Sequence, residues 1–146
     1  DSDVATAEML LRSIPNVRDC GEKLDTPRAV IRRIGECRTV VTGAYHGAVY
    51  ALSQGIPVVA LVKSQYYRNK FEGLRDQFGE GCLILYFDQP DFLTALETAL
   101  NRQWEVASKE RDRLLSIAQA QIAKGQEVYR RFCESLTIHS PSIEAA

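Results

Sequence analysis

Long apolar runs, paired cysteines and the familiar phosphate-binding glycine signatures are all missing from this chain, and each absence removes a class of protein. No apolar stretch approaches the ~20 residues that a membrane-spanning helix needs. The four cysteines, Cys20, Cys37, Cys82 and Cys133, are spaced by 17, 45 and 51 residues. They contain no C-x-x-C pair, so no zinc cluster and no metal site is expected. Cys37 and Cys82 lie in or beside apolar segments, where a thiol acts as a small hydrophobe, so reduced, buried thiols are expected, with a single disulfide as the alternative. That points to a reducing compartment, and hence to the cytoplasm. No G-x-G-x-x-G follows a strand pattern, and neither a Walker loop nor a G-x-S-x-G elbow occurs. Paired carboxylates suited to glycoside cleavage are not evident, and Glu8, Glu72, Asp76 and Asp88 are expected to solvate helices. Charge of one sign is scarce too. A net charge of -1 leaves no global attraction to nucleic acid or to an acidic membrane. Any anionic ligand must therefore be held by a local arrangement of cations. The start, Asp1-Ser2-Asp3, carries neither an initiator Met nor a signal-peptide pattern, which reads as a piece of a longer protein.

What is present fits an ordinary folded domain: 146 residues, 45% hydrophobic and 25% charged. Residues 4–13 show helical spacing with Asp3 as N-cap and Pro15 as terminator. Residues 16–20 form a weak strand candidate. Thr26 caps a second helix with Pro27 in its first turn, an inward face of Val30, Ile31 and Ile34, and Gly35 to close it. Residues 39–42 are a β-branched run, the mark of a strand covered on both faces. A helix is expected over residues 45–54, with Gly55 as its C-cap. After Pro57, residues 58–62 make the most continuous apolar run, and residues 82–87 make another buried strand. Between them lies a polar, aromatic stretch with a helix over residues 67–78. A further helix is expected from Pro90 to about Asn101. A separate long charged helix, kinked near Gly125, is expected over residues 103–136, followed by a loose tail.

Alternation of strand and helix, with connections too long for hairpins, predicts a Rossmann-like parallel sheet flanked by helices. The expected organisation is an α/β ligand-binding domain over residues 1–102, a long helical segment over 103–136, and a flexible tail over 137–146.

Ligands of open parallel sheets sit beyond the carboxyl ends of the strands. Two neighbouring segments qualify. The first runs through Thr42, Gly43, Ala44, Tyr45, His46 and Gly47, where a helix start offers backbone N–H groups and a partial positive charge. Gly43 permits a sharp turn and close approach of a ligand, while Gly47 lets the helix lie close on the sheet. His46 reads either as a general acid/base at the mouth of a site or as a helix-start histidine bonded to a loop. His139 reads as solvated surface. The second segment, residues 63–70, sets Lys63, Ser64, Tyr67, Arg68 and Lys70 just after the strongest strand. It reads as a phosphate-binding strand end or as an ordinary charged surface helix. Tyr67 and Lys70, three apart, are expected to face the same side.

These segments together, with Ala51-Leu52, Gly55-Ile56-Pro57-Val58-Val59 and Tyr67-x-x-Lys70, resemble the polysaccharide pyruvyl transferase family. The resemblance is best over residues 26–79. It implies a fold like the C-terminal half of a GT-B glycosyltransferase. The implied activity is transfer of a pyruvyl group from phosphoenolpyruvate to a sugar of an exopolysaccharide or cell-surface polysaccharide, forming a ketal. No cofactor is implied beyond phosphoenolpyruvate as donor. His46 matches the family's motif histidine and would act catalytically, protonating or orienting the enolpyruvyl phosphate, and Lys70 matches its following lysine. Thr42, Gly43, Tyr45 and residues 63–70 would hold phosphate and carboxylate. Ala44 stands where the family commonly has arginine, so either another cation, such as Lys63 or Arg68, supplies that charge, or this branch uses another donor. Implied partners are a small-molecule donor, a sugar or lipid-linked saccharide acceptor, and an N-terminal domain of the same protein, but no nucleic acid. A lipid-linked acceptor would bring the protein to the inner face of the membrane.

Two other readings remain open at this level. One is the donor domain of a GT-B nucleotide-sugar glycosyltransferase, with Glu72 and Tyr66 as candidate ribose and base contacts. The other is a non-catalytic binding or assembly module, in which the long helix packs on a partner or on a second copy in a homo-oligomer.

Overall fold

The computed structural model describes residues 5, 8, 9, 11, 12, 14, 15 and 24–138. Contacts divide the chain into two units, residues 1–32 and residues 33–146. In the first unit, Ala5, Glu8, Met9 and Leu11 are helical, in keeping with the spacing over residues 4–13. The strand candidate at residues 16–20 lies outside the described residues, as do Cys20, His139 and the end of the tail. Helix α1 (Pro27–Gly35) begins as its sequence dictates, with the Ala29 N–H donating to Thr26 Oγ1 at 3.2 Å.

The second unit is built on three parallel strands, β1 (Val40–Thr42), β2 (Val58–Val62) and β3 (Cys82–Tyr86), in the order β1-β2-β3. The register sets Val40 beside Val58 and Val58 beside Cys82. Helix α2 (Tyr45–Leu52) connects β1 to β2. Helix α3 (Gln65–Phe78) and a 3-10 turn (Gly79–Gly81) connect β2 to β3. The expected α/β architecture with parallel strands is therefore present, and α3 starts two residues earlier than its apolar periodicity suggests.

Side chains of the central strand alternate between two apolar layers, as a strand covered on both faces requires. Val58, Ala60 and Val62 join Leu52, Phe71 and Leu114 on one face. Val59 joins Leu85 and Ala99 on the other. β1 departs from the expectation of a strand buried on both faces, because Val41 remains 41% exposed. Among the described residues β1 is an edge strand, so one of its faces lacks the covering that β2 receives. Cys82 is buried as expected, whereas Cys37 is exposed. Cys37 sits in the turn after α1, where its thiol approaches the Arg33 carbonyl rather than the core.

The two helices expected at residues 90–101 and 103–136 are one continuous element, α4 (Phe92–Ile138), 47 residues long. Its first turns pack Phe92, Ala95 and Leu96 on one face of the sheet, and Leu114 and Ala118 then pack on the other. Between these contacts the helix passes the amino edge of the sheet. There the buried Gln103 amide donates to the carbonyls of Val58 at 3.3 Å and Glu80 at 2.8 Å. The polar pair Arg102-Gln103 looks like a break in sequence, but Gln103 serves carbonyls at strand starts, so the helix continues. Gly125 introduces no break in the helix.

Candidate functional site

Because all three strands are parallel, Thr42, Val62 and Tyr86 end on the same edge of the sheet. Both α2 and α3 start from that edge, so two sets of helix-initiating N–H groups lie there, together with the partial positive charge of each helix. At the end of β1, the Thr42 hydroxyl accepts from the Ala44 N–H at 2.9 Å, closing the turn that leads into α2. Gly43 does not use a left-handed backbone here. A Cβ at Gly43 would instead come 3.4 Å from the Leu61 carbonyl, so this turn runs close beside β2. A Cβ at Gly47 would come 3.1 Å from Thr42 Oγ1, consistent with the close helix-on-sheet approach read from the sequence.

His46 is exposed in the first turn of α2, edge-on to Tyr45 at 5.8 Å and tilted against Tyr50 at 6.3 Å between ring centroids. Lys70 reaches Tyr45 from α3. Its ammonium lies 5.2 Å from the Tyr45 ring centroid and 4.4 Å from that of Tyr66. A hydrogen bond with Tyr66 raises the Lys70 pKa above its ordinary value, aided by the nearby Tyr67 and Tyr45 oxygens, while partial desolvation opposes the shift. The cation is therefore held, charged, between the rings of Tyr66 and Tyr45, the residue before His46 in the chain. Phe71 anchors the cluster from below, 5.9 Å from Tyr45 and 6.5 Å from Tyr67. Tyr66, rather than Tyr67, is the main partner of Lys70, because residues four apart on a helix approach as closely as residues three apart.

Arg68 belongs to a different cluster. Its guanidinium stacks over the Tyr86 ring at 3.9 Å and meets Asp88 at 3.5 Å. The Tyr86 hydroxyl donates to Glu72 at 3.0 Å. Burial raises the Tyr86 pKa, and the bond to the Glu72 carboxylate adds to the rise. Glu72 and Asp88 thus do more than solvate helices, since they brace the end of β3. Sequence spacing held one clue, since Arg68 and Glu72 are four apart on α3; the partners Tyr86 and Asp88 come from another strand end and give no local signal. Lys63 and Ser64 are exposed in the short link between β2 and α3. Ser64 occupies the N-cap position of α3 without a side-chain cap bond.

The residues predicted from sequence therefore converge on one edge but divide in two. Thr42, Gly43, Tyr45, His46, Tyr67 and Lys70 gather where α2 and α3 begin, with Tyr66 added by the structure. Arg68 is drawn toward β3. Ala44 is exposed at the start of α2, and the Ala48 N–H donates to its carbonyl at 3.2 Å. Among the described residues, no group of three or more histidine, cysteine or acidic side chains is placed to hold a metal ion.

The class defined by this fold is a parallel α/β domain, with the candidate site at the carboxyl ends of its strands. The family model for polysaccharide pyruvyl transferase matches residues 6–64, a stretch that contains β1, the Thr42–His46 turn, α2 and β2. That match supports a transferase and agrees with the resemblance carried by the motif residues. Comparison with curated proteins and comparison with solved structures each gave no match. Among the described residues, no helix is long and apolar enough to cross a membrane.

Proposed function

We propose that this chain is the donor-binding part of a polysaccharide pyruvyl transferase that uses phosphoenolpyruvate. The observation that carries the reading is the Lys70 ammonium against the ring of Tyr45, the residue before His46 at the start of α2, inside and just beyond the stretch that matches the family model. Ketal formation adds a proton to C3 of phosphoenolpyruvate, joins C2 to two sugar oxygens and releases phosphate. One hydroxyl proton ends on the new methyl group and the other on the departing phosphate. His46 is suited to handle the proton, being exposed and at the helix mouth. Lys70, Lys63 and the N–H groups at the start of α2 are suited to the phosphate and carboxylate, because a helix start and fixed ammonium groups attract anions. Lys63 and Lys70 stand in for the cation absent at Ala44, since Arg68 is engaged with Tyr86 and Asp88. An N-terminal domain would bring the acceptor saccharide, with the reaction on the cytoplasmic side and lipid-linked acceptors drawing the protein to the inner membrane face.

Ligand-induced thermal stabilisation tests this directly. A ligand at about 100 times its Kd stabilises the folded state by about 2.7 kcal/mol. Phosphoenolpyruvate should raise the melting midpoint by several degrees, and His46→Ala should abolish the rise without lowering the midpoint of the free protein. A rise with UDP-sugars or CMP but none with phosphoenolpyruvate would assign the edge to a nucleotide-sugar donor and overturn the proposal.

A further inference from the structure

The last stretch of α4 leaves the core carrying an apolar seam. Ala118 is the last buried residue, and about 30 Å of helix follows it to Ile138 at 1.5 Å per residue. Along this stretch Ala118, Ile122, Gly125, Tyr129, Phe132 and Leu136 repeat at spacings of four and three, the pattern of a helix–helix seam. Ile122, Phe132 and Leu136 are each 57% exposed and Tyr129 is 70% exposed. A solitary helix of this length is marginal in water, and a mid-helix glycine costs it a further ~1 kcal/mol. The stretch therefore calls for a partner.

We propose that the partner is a second copy of this chain, paired antiparallel along α4. Two features of the seam select a copy of itself. First, the positions flanking it are Gln119, Gln121, Gln126, Val128, Cys133 and Ser135, all uncharged. Identical helices with charged flanks can set like charges against each other, and here none occur. The charges lie on the outer face instead, where Arg130 pairs with Glu127 and Glu134, and Arg131 pairs with Glu127, within one helix. Second, the side-chain volumes are complementary in one antiparallel register. A two-fold axis at Glu127 sets Gly125 opposite Tyr129, small against large, and Ile122 opposite Phe132, aliphatic against aromatic. Parallel pairing would set glycine on glycine and tyrosine on tyrosine, leaving a void beside a clash.

The same register brings Leu136 of the second copy opposite Ala118. Ala118 and Ile122 border a groove of about 220 Å³ whose other walls include Tyr45, Val49, Leu74 and Phe78. An apolar cavity of roughly 150 Å³ already accepts a benzene-sized group, so the groove has room for a leucine side chain. Tyr45 is also the aromatic partner of Lys70, so pairing would seat the second copy against the back of the candidate site. This inference is independent of the pyruvyl transfer reading, because it rests on α4 and its groove.

Sedimentation velocity on the full chain should show twice the protomer mass, and the double variant Tyr129→Glu, Phe132→Glu should halve it while keeping the far-ultraviolet helix signal. Val128 lies one residue from the proposed axis in each copy, so the two Val128 residues flank the pair on the same side. In a background lacking Cys20, Cys37 and Cys133, Val128→Cys should therefore cross-link to itself on mild oxidation, whereas Gly125→Cys should not. A wild-type monomer overturns the proposal, and protection of residues 122–136 from hydrogen exchange in that monomer would assign the seam to another part of the same chain. Self-cross-linking at position 125 instead of 128 overturns the antiparallel register.

Discussion

Single residues set how closely the elements of this fold approach one another. Gly55 has a φ of 76°, and a Cβ there would lie 2.8 Å from the Arg111 carbonyl and 2.9 Å from Leu115 Cγ on α4. Gly55→Ala must therefore combine a left-handed backbone cost of 1–2 kcal/mol with a clash worth about 1–3 kcal/mol. Its urea midpoint should fall by an amount equivalent to about 2–5 kcal/mol at unchanged slope. Gly73→Ala in α3, where a Cβ meets open space, should be neutral or stabilising by up to ~1 kcal/mol. Equal losses at both positions would remove the packing explanation. Cys82 offers a contrast in chemistry. Burial pushes its thiol up to about 12, slightly offset by Arg75. The folded state therefore keeps this proton more tightly than the unfolded chain. Its contribution to stability is complete below about pH 9 and is lost as the pH climbs toward 12. A thiol reagent at pH 8 should modify the exposed Cys37 in the native protein and Cys82 only on denaturation. Equal native rates at the two thiols would contradict the burial of Cys82.

At the scale of the element, α4 joins three environments in one helix. Its first turns close the face that holds Val59 and Leu85, its middle closes the face that holds Phe71 and Leu52, and its end carries the exposed seam. Leu114 is fully buried in the middle section, where it packs directly on Gly81. Leu114→Ala should cost about 2–5 kcal/mol, as cavity-forming core truncations do. Leu93→Ala, in the first turn of the same helix and 77% exposed, should stay within about 0.5 kcal/mol of the native protein. Calorimetry of the two variants would check the contrast, and comparable losses would show that α4 is not anchored through Leu114. α2 and α3 are shorter and act together differently. Neither alone defines the candidate site, but their starts bring Tyr45 and Lys70 together because both helices follow parallel strands that end on one edge.

For the whole molecule, local pattern and tertiary arrangement contributed separable parts. The three strands, the Thr26 cap, the close approach at Gly47 and the carboxyl-edge location of residues 42–46 were legible in the sequence. Each depends on periodicity, β-branching or capping chemistry within a few residues. The motif residues also carried the family resemblance, since the matching stretch, residues 6–64, is a contiguous run. What the sequence could not decide was which distant groups meet. Lys70 finds Tyr45 from another helix, Arg68 is claimed by Tyr86 and Asp88 from another strand end, and Gln103 continues a helix because carbonyls of Val58 and Glu80 await it. Those pairings cross from 18 to 45 residues of chain. A residue's periodic neighbours fix its element, but its charge and polarity are satisfied by whatever the folded chain places beside it, and that is settled only when the sheet and its helices pack together.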